Sequence, residues 1–179
     1  MKKKLSDMTL EELWQLFPIV LEPHSEAWAL WYEEERALLA ALLPGARIRH
    51  IGSTAIPGIW AKPIVDILIE CGDAAQLHAA AQRMAQAGYV LMSRGEERLS
   101  FHKGYTEEGF APRVFHLHLR LAGDCAEIAF RDYLTAHLDE AAAYEQLKLG
   151  LWKMYEHDRD GYTQAKTAFV QRIMGLARR

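Results

Sequence analysis

The stretch that most constrains the fold runs from His50 to Cys71 and reads HIGSTAIPGIWAKPIVDILIEC. Arg47 to Ile51 is a short β-prone run, and Gly52-Ser53-Thr54 breaks it. Pro57-Gly58 and Lys62-Pro63 then punctuate a tight excursion into a second strand. That strand, Ile64 to Cys71, is apolar except for Asp66 and Glu70. Every second side chain of a strand shares a face, so Asp66, Leu68 and Glu70 point the same way. A carboxylate inside an Ile/Val/Leu strand loses its water, and a metal, a cation or hydrogen bonds must compensate. The turn also has a chemical reading. Gly-Ser at a strand end lets backbone N–H groups approach a phosphate without Cβ interference, and the Ser53 hydroxyl adds a donor. Taken alone the triplet is an ordinary turn; Asp66, thirteen residues after Ser53, makes the combination more specific.

Along the chain, Thr9 is expected to cap a helix through Phe17, which Pro18 ends. Ser25 caps a second helix to about Leu43, with a core-facing stripe of Trp28, Trp31, Tyr32, Leu38, Leu39 and Leu42. A third helix runs from about Ala74 to Ala87 and stops at Gly88. Strands are expected at Tyr89–Met92, Arg98–Lys103 and Arg113–Leu121, with Gly104 to Pro112 a loop. From Cys125 on the pattern is helical: Glu127–His137, Asp139 to about His157, and Tyr162–Ala177, with a break at Asp158–Gly161. The expectation is an α/β fold with a mixed sheet flanked by helices and a helical C-terminal extension. We read residues 1–179 as a single domain, with a core over about 19–121 and C-terminal helices over about 125–178.

His116 and His118 stand at i and i+2 of the last strand, so both imidazoles face one side, as metal ligands from one strand would. Two sheet histidines bonded to neighbouring groups are the plain alternative. If this strand neighbours that of Asp66, one face carries Asp66, Glu70, His116 and His118, a donor set that suits zinc, manganese or ferrous iron better than magnesium. Lys62, Arg113, Arg131, Lys148 and Lys166 are candidate phosphate partners, each with a surface salt bridge as the alternative. Tyr162 and Lys166, four apart, share a helix face.

The net charge of −3 argues against bulk nucleic-acid binding. Cys71 and Cys125 make no disulfide framework, and no CxxC suggests zinc, so a cytoplasmic location is expected. The basic start Met1–Lys4 precedes no apolar segment of signal-peptide character. No apolar run approaches the ~18 residues of a membrane span. Nothing in the sequence fixes an oligomeric state.

His50-Ile-Gly-Ser-Thr-Ala-Ile-Pro-Gly58 followed by Ala61-Lys-Pro-Ile-Val-Asp-Ile67 resembles the signature of the GrpB family. Ala129-Phe-Arg-Asp-Tyr-Leu134, Tyr144, Lys148, Tyr162, Ala165-Lys166 and His116-Leu-His118 extend the resemblance from about Ile19 to Ile173. It implies the nucleotidyltransferase superfamily and a polymerase β-like fold. That superfamily carries a Gly-Ser turn, one or two acidic residues on the next strand, and a third on a later strand. Gly52-Ser53 and Asp66 match, Leu68 stands where a second carboxylate is usual, and histidines occupy the strand of the third. The resemblance also puts Arg131 and Lys166 first among the phosphate partners. The implied function is metal-dependent transfer of NMP from an NTP, with Asp66 and Glu70 catalytic. Gly52, Ser53, Lys62, Arg131 and Lys166 would bind the nucleotide, and a divalent Mg, Mn or Zn ion would sit on Asp66, Glu70, His116 and His118. Two alternatives stand beside it. One is a degenerate module binding a nucleotide or another phosphate-containing small molecule, coenzyme A-related compounds included; the other is a metal-dependent hydrolase.

Overall fold

The structure, a computed structural model, describes residues 3–123 and 126–178. Cys125 lies outside them, as do Met1 and Lys2; Cys71 is buried and free. Helix α1 (Leu10–Leu16) opens on a reciprocal cap, in which Thr9 Oγ1 accepts from the Glu12 N–H at 3.3 Å and Glu12 Oε2 accepts from the Thr9 N–H at 2.7 Å. Helix α2 (Ala27–Leu42) buries Trp28 and Leu39, with Trp31, Tyr32 and Leu42 partly covered. Leu38 corrects the expected stripe: it is 58% exposed, one residue off the buried line, and Glu35 takes the inward position instead. The Glu35 carboxylate is held there by Tyr89 Oη and by Lys103 Nζ at 2.7 Å, which offsets its lost hydration.

Strand β1 (Arg47–Ile51) leads through the Gly-Ser turn to β2 (Ile64–Cys71), and α3 (Ala74–Gln86) follows, N-capped by Asp73. Strands β3 (Val90–Arg94), β4 (Arg98–Thr106) and β5 (Gly109–Leu121) complete a sheet of order β1-β2-β5-β4-β3. Among the described residues only the β2–β5 pair is parallel; the other pairs are antiparallel. The segment expected as a loop between Gly104 and Pro112 is instead the end of a β4–β5 hairpin, with Tyr105 opposite Phe110. A register shift between Lys103 and Tyr105 lets the ladder continue past Gly104, whose φ of +95° suits a glycine bulge.

One sheet face is apolar and packs Ile67, Ile69, Leu117 and Leu119 against α2 and α3. Each such side chain, fully withdrawn from water, contributes about 1.5–3 kcal/mol. The other face bears Asp66, His116 and His118, and the C-terminal helices cover it: α4 (Ala126–Ala136), α5 (Leu138–Trp152), α6 (Arg159–Ala165) and α7 (Thr167–Ala177). The last two replace the single helix expected over Tyr162–Ala177: Asp158 starts α6 at Arg159 by accepting from the Gly161 N–H at 2.8 Å, and the helix breaks at Lys166, whose N–H turns to the Thr163 carbonyl at 3.2 Å. A second core of Ile56, Ile59, Leu134, Tyr144 and Ile173 ties these helices to the turn after β1. Among the described residues no helix is long and apolar enough to cross a membrane.

Candidate functional site

The site forms where the Gly-Ser turn, β2 and β5 meet the C-terminal helices. Gly52 adopts φ +73°, and a Cβ there would lie 2.5 Å from Asp66 Oδ2. Only glycine lets the turn come this close to the carboxylate. His50 fixes the turn from behind: its ring stacks on Tyr32 with centroids 4.7 Å apart, and its Nε2 lies 3.0 Å from Thr54 Oγ1. Thr54 in turn donates to the Ile64 carbonyl at 3.3 Å, joining the turn to the start of β2. Burial lowers the His50 pKa to about 4, so its ring is neutral at pH 7.

In the parallel register Asp66 lies opposite His116, and Leu68 opposite His118. Asp66 Oδ1 accepts from His118 Nε2 at 3.0 Å and faces His116 Nδ1 at 3.6 Å. A carboxylate can only accept, so the nitrogens facing it carry the protons. The other His116 nitrogen, Nε2, is 2.7 Å from Tyr105 Oη, and Arg159 Nη2 donates to the same hydroxyl at 3.2 Å. Burial opposes ionisation of Asp66, but the two imidazole donors outweigh it and hold the carboxyl well below the usual carboxylate range. Burial also lowers the His116 pKa, which keeps that ring neutral and lets Nε2 accept from Tyr105.

Asp66, His116 and His118 open onto a cavity of about 350 Å³ whose far wall carries Lys148 of α5 and Tyr162 and Lys166 of the α6–α7 junction. Lys62, Gly52 and Ser53 line the same space. Three lysines thus share one cavity with the Asp66 carboxylate. Lys62 and Lys166 place their ammonium groups 5.6 and 4.3 Å from the Tyr162 ring centroid, and Lys148 lies 4.8 Å from that of Tyr144. Burial, then the neighbouring cations, lowers Lys62 and Lys148 to about 7, and burial lowers Lys166 to about 8. Lys148, 2% exposed, donates to the Trp60 carbonyl, and Glu145 accepts from the Trp60 N–H at 2.7 Å. Burial pushes the Tyr144 hydroxyl up to about 12. The Tyr162 hydroxyl is buried without a partner. Crowded ammonium groups and an orphan hydroxyl make an anion the natural occupant. At ~30 Å³ per water-sized group, the space holds about a dozen such groups, the size of a triphosphate.

Of the residues singled out in the sequence, Gly52, Ser53, Lys62, Asp66, His116, His118, Lys148 and Lys166 meet at this cavity. Glu70 does not. It shares Asp66's face but lies four residues along the strand, about 13 Å at 3.3 Å per residue. There its carboxylate faces Arg47 at 3.5 Å and Arg49 at 3.4 Å. Arg131 is not at the cavity either: its guanidinium donates to the His50 carbonyl and to Asp132. Arg113 pairs with Glu34 and sits over Trp31. Among the described residues no group of three His, Cys, Asp or Glu side chains could hold a metal ion. As folded, the two imidazoles converge on one carboxylate oxygen, with His118 Nε2 at 3.0 Å and His116 Nδ1 at 3.6 Å from Asp66 Oδ1. Tyr105 and Arg159 were not singled out from the sequence, because their segment reads as a loop and a helix break.

A family model described as GrpB protein matches residues 18–175. A UPF0157 protein of Pseudomonas aeruginosa is 36% identical over 160 residues, covering 87% of this chain and 66% of that protein. The crystal structure of the conserved protein GrpB from Enterococcus faecalis superposes with a TM-score of 0.76 at 27% identity, over 88% of this chain and 96% of that one. The Cid1 poly(U) polymerase bound to MgGTP matches with a TM-score of 0.50 at 11% identity, over 71% of this chain and 42% of that one, a likeness of fold.

Proposed function

The chain belongs to the GrpB family, and from that premise we propose that it binds a nucleotide, or a closely related phosphate-bearing small molecule, with the phosphates on Lys62, Lys148 and Lys166. The carrying observation is three lysines of lowered pKa facing one cavity beside the Gly52-Ser53 turn. A polyphosphate restores their charge and accepts from Ser53 and Tyr162, so the cost of crowding becomes affinity. In a nucleotidyltransferase-like fold with Leu68 in place of a second acid, lysines supply the phosphate neutralisation that a metal pair would otherwise give.

The test is thermal stabilisation by ATP, GTP, CTP, UTP, coenzyme A and dephospho-coenzyme A, each with EDTA and with Mn²⁺. Binding at ~100-fold over Kd adds about 2.7 kcal/mol to stability. The reading expects at least one ligand to stabilise the protein in EDTA, and Lys166→Met to remove that effect. Stabilisation by none of them under either condition contradicts it.

A second reading, transfer of NMP to an acceptor, is favoured by the approach of Gly52 to Asp66, which would bring phosphates held on the turn beside the carboxylate. The expected Mg, Mn or Zn ion enters here as the test variable. Pyrophosphate release that needs Mn²⁺ and is lost in Asp66→Asn supports transfer. Binding without release in either condition leaves a binding module. Zn²⁺ affinity with no nucleotide binding would favour the hydrolase alternative.

A further inference from the structure

A second cavity, of about 300 Å³, adjoins the first and shares Lys62 and Ile64 with it. Its walls differ. Pro18, Pro63 and Pro112 line it, and a proline has no N–H, so that much of the wall offers water no backbone donor. Ile19, Ile64 and Val114 are buried around it, while Val20 and Phe110, 37% and 36% exposed, form part of its rim. Lys62, Glu22 and Arg159 are the charged residues lining it. Arg159 donates one N–H to Tyr105, and its Nε is buried with no hydrogen-bond partner. A guanidinium has five N–H groups and pairs best with a planar carboxylate. The space has room for about ten water-sized groups, a bicyclic ring or a medium-length chain.

We propose that this cavity is a second ligand site, which takes a small apolar carboxylate with its hydrophobic body among the prolines and Phe110 and its carboxylate against Arg159. The site stands independently of the phosphate reading. Because Lys62 lines both spaces, the carboxylate ligand lies next to the phosphate ligand when both are bound.

The probes are indole-3-propionate, 3-phenylpropionate and octanoate, each against its primary amide, titrated calorimetrically into the full chain. At least one acid is expected to bind ten-fold or more tighter than its amide. Arg159→Gln should abolish that preference, Phe110→Ser should weaken acid and amide alike, and Lys166→Met should leave acid binding within two-fold of wild type. No binding by any of the three acids overturns the site, as does equal affinity for acid and amide. If Arg159→Gln fails to fold, the acid–amide comparison in the wild type decides alone. Tripolyphosphate, run in parallel, separates the two cavities. Its binding without that of the acids overturns this inference only, and acid binding without it overturns the phosphate reading only.

Discussion

Replacing Lys62 by methionine removes one of three ammonium groups crowded into one cavity and keeps an unbranched stem. Burial first, then Lys166 and Arg159, lowers the Lys62 pKa to about 7. In the unfolded chain a lysine titrates near 10.4. Between roughly pH 7 and 10 the unfolded state therefore binds more protons than the folded one, and stability rises with pH. Below that window both states are protonated and the folded protein bears the full cost of the buried charge. Methionine bears none of it. The limit is about 1.4 kcal/mol for each tenfold loss of proton affinity; cavity water screens the charge, and we expect Lys62→Met to be about 1–2 kcal/mol more stable than wild type at pH 6.5. Above about pH 10 the advantage should vanish. Urea midpoints of both proteins at pH 6.5, 8.0 and 10.0 give the comparison. A variant less stable than wild type at pH 6.5 refutes the cationic crowding on which the site reading rests.

Gly52→Ala should cost about 1–3 kcal/mol in urea unfolding, from φ +73° and from the 2.5 Å approach of the new Cβ to Asp66 Oδ2. Asp66→Asn should lose about 2 kcal/mol at pH 7, the worth of hydrogen bonds to a charged group. The Asp66 carboxyl is held below its ordinary range, so its contribution is complete above about pH 4 and fades as pH falls further; wild type and variant should converge there. A gap that stays constant down to pH 2 contradicts that assignment. Tyr105→Phe leaves His116 Nε2 without its 2.7 Å partner, and should cost about 1 kcal/mol and move the His116 ring resonances in NMR spectra while leaving His50 unmoved.

Much of this architecture is legible in the residues, and the misses have physical causes. Alternation along β2 shows that Asp66 and Glu70 share a face, and the rise over four strand residues already separates them by about 13 Å. The folded sheet adds what surrounds that carboxylate, since Arg47 stands opposite Glu70 in the β1–β2 register with its guanidinium 3.5 Å away. The i, i+2 histidines place both rings on one side; that this side is Asp66's depends on the parallel β2–β5 register, a long-range contact no local pattern encodes. Tyr105 escaped notice because Gly104, Gly109 and Pro112 give a loop composition to what is a bulged hairpin. Lys62, Lys148 and Lys166 each read in sequence as a candidate phosphate partner with a surface salt bridge as the alternative. Their meeting is set by packing of α5 and of the α6–α7 junction against the turn, through Tyr144 and Tyr162. Arg131 shows the reverse: a residue picked for phosphate that the fold uses to hold the end of β1.

Calorimetric titration of tripolyphosphate in EDTA at pH 7.5, run in two buffers of different ionisation enthalpy, tests the central claim most directly. Lysines of pKa about 7 to 8 must take up protons as the anion arrives, so the account predicts binding with net proton uptake that falls in Lys62→Met and in Lys166→Met. An absence of binding, or binding with no difference between the two buffers, would contradict it.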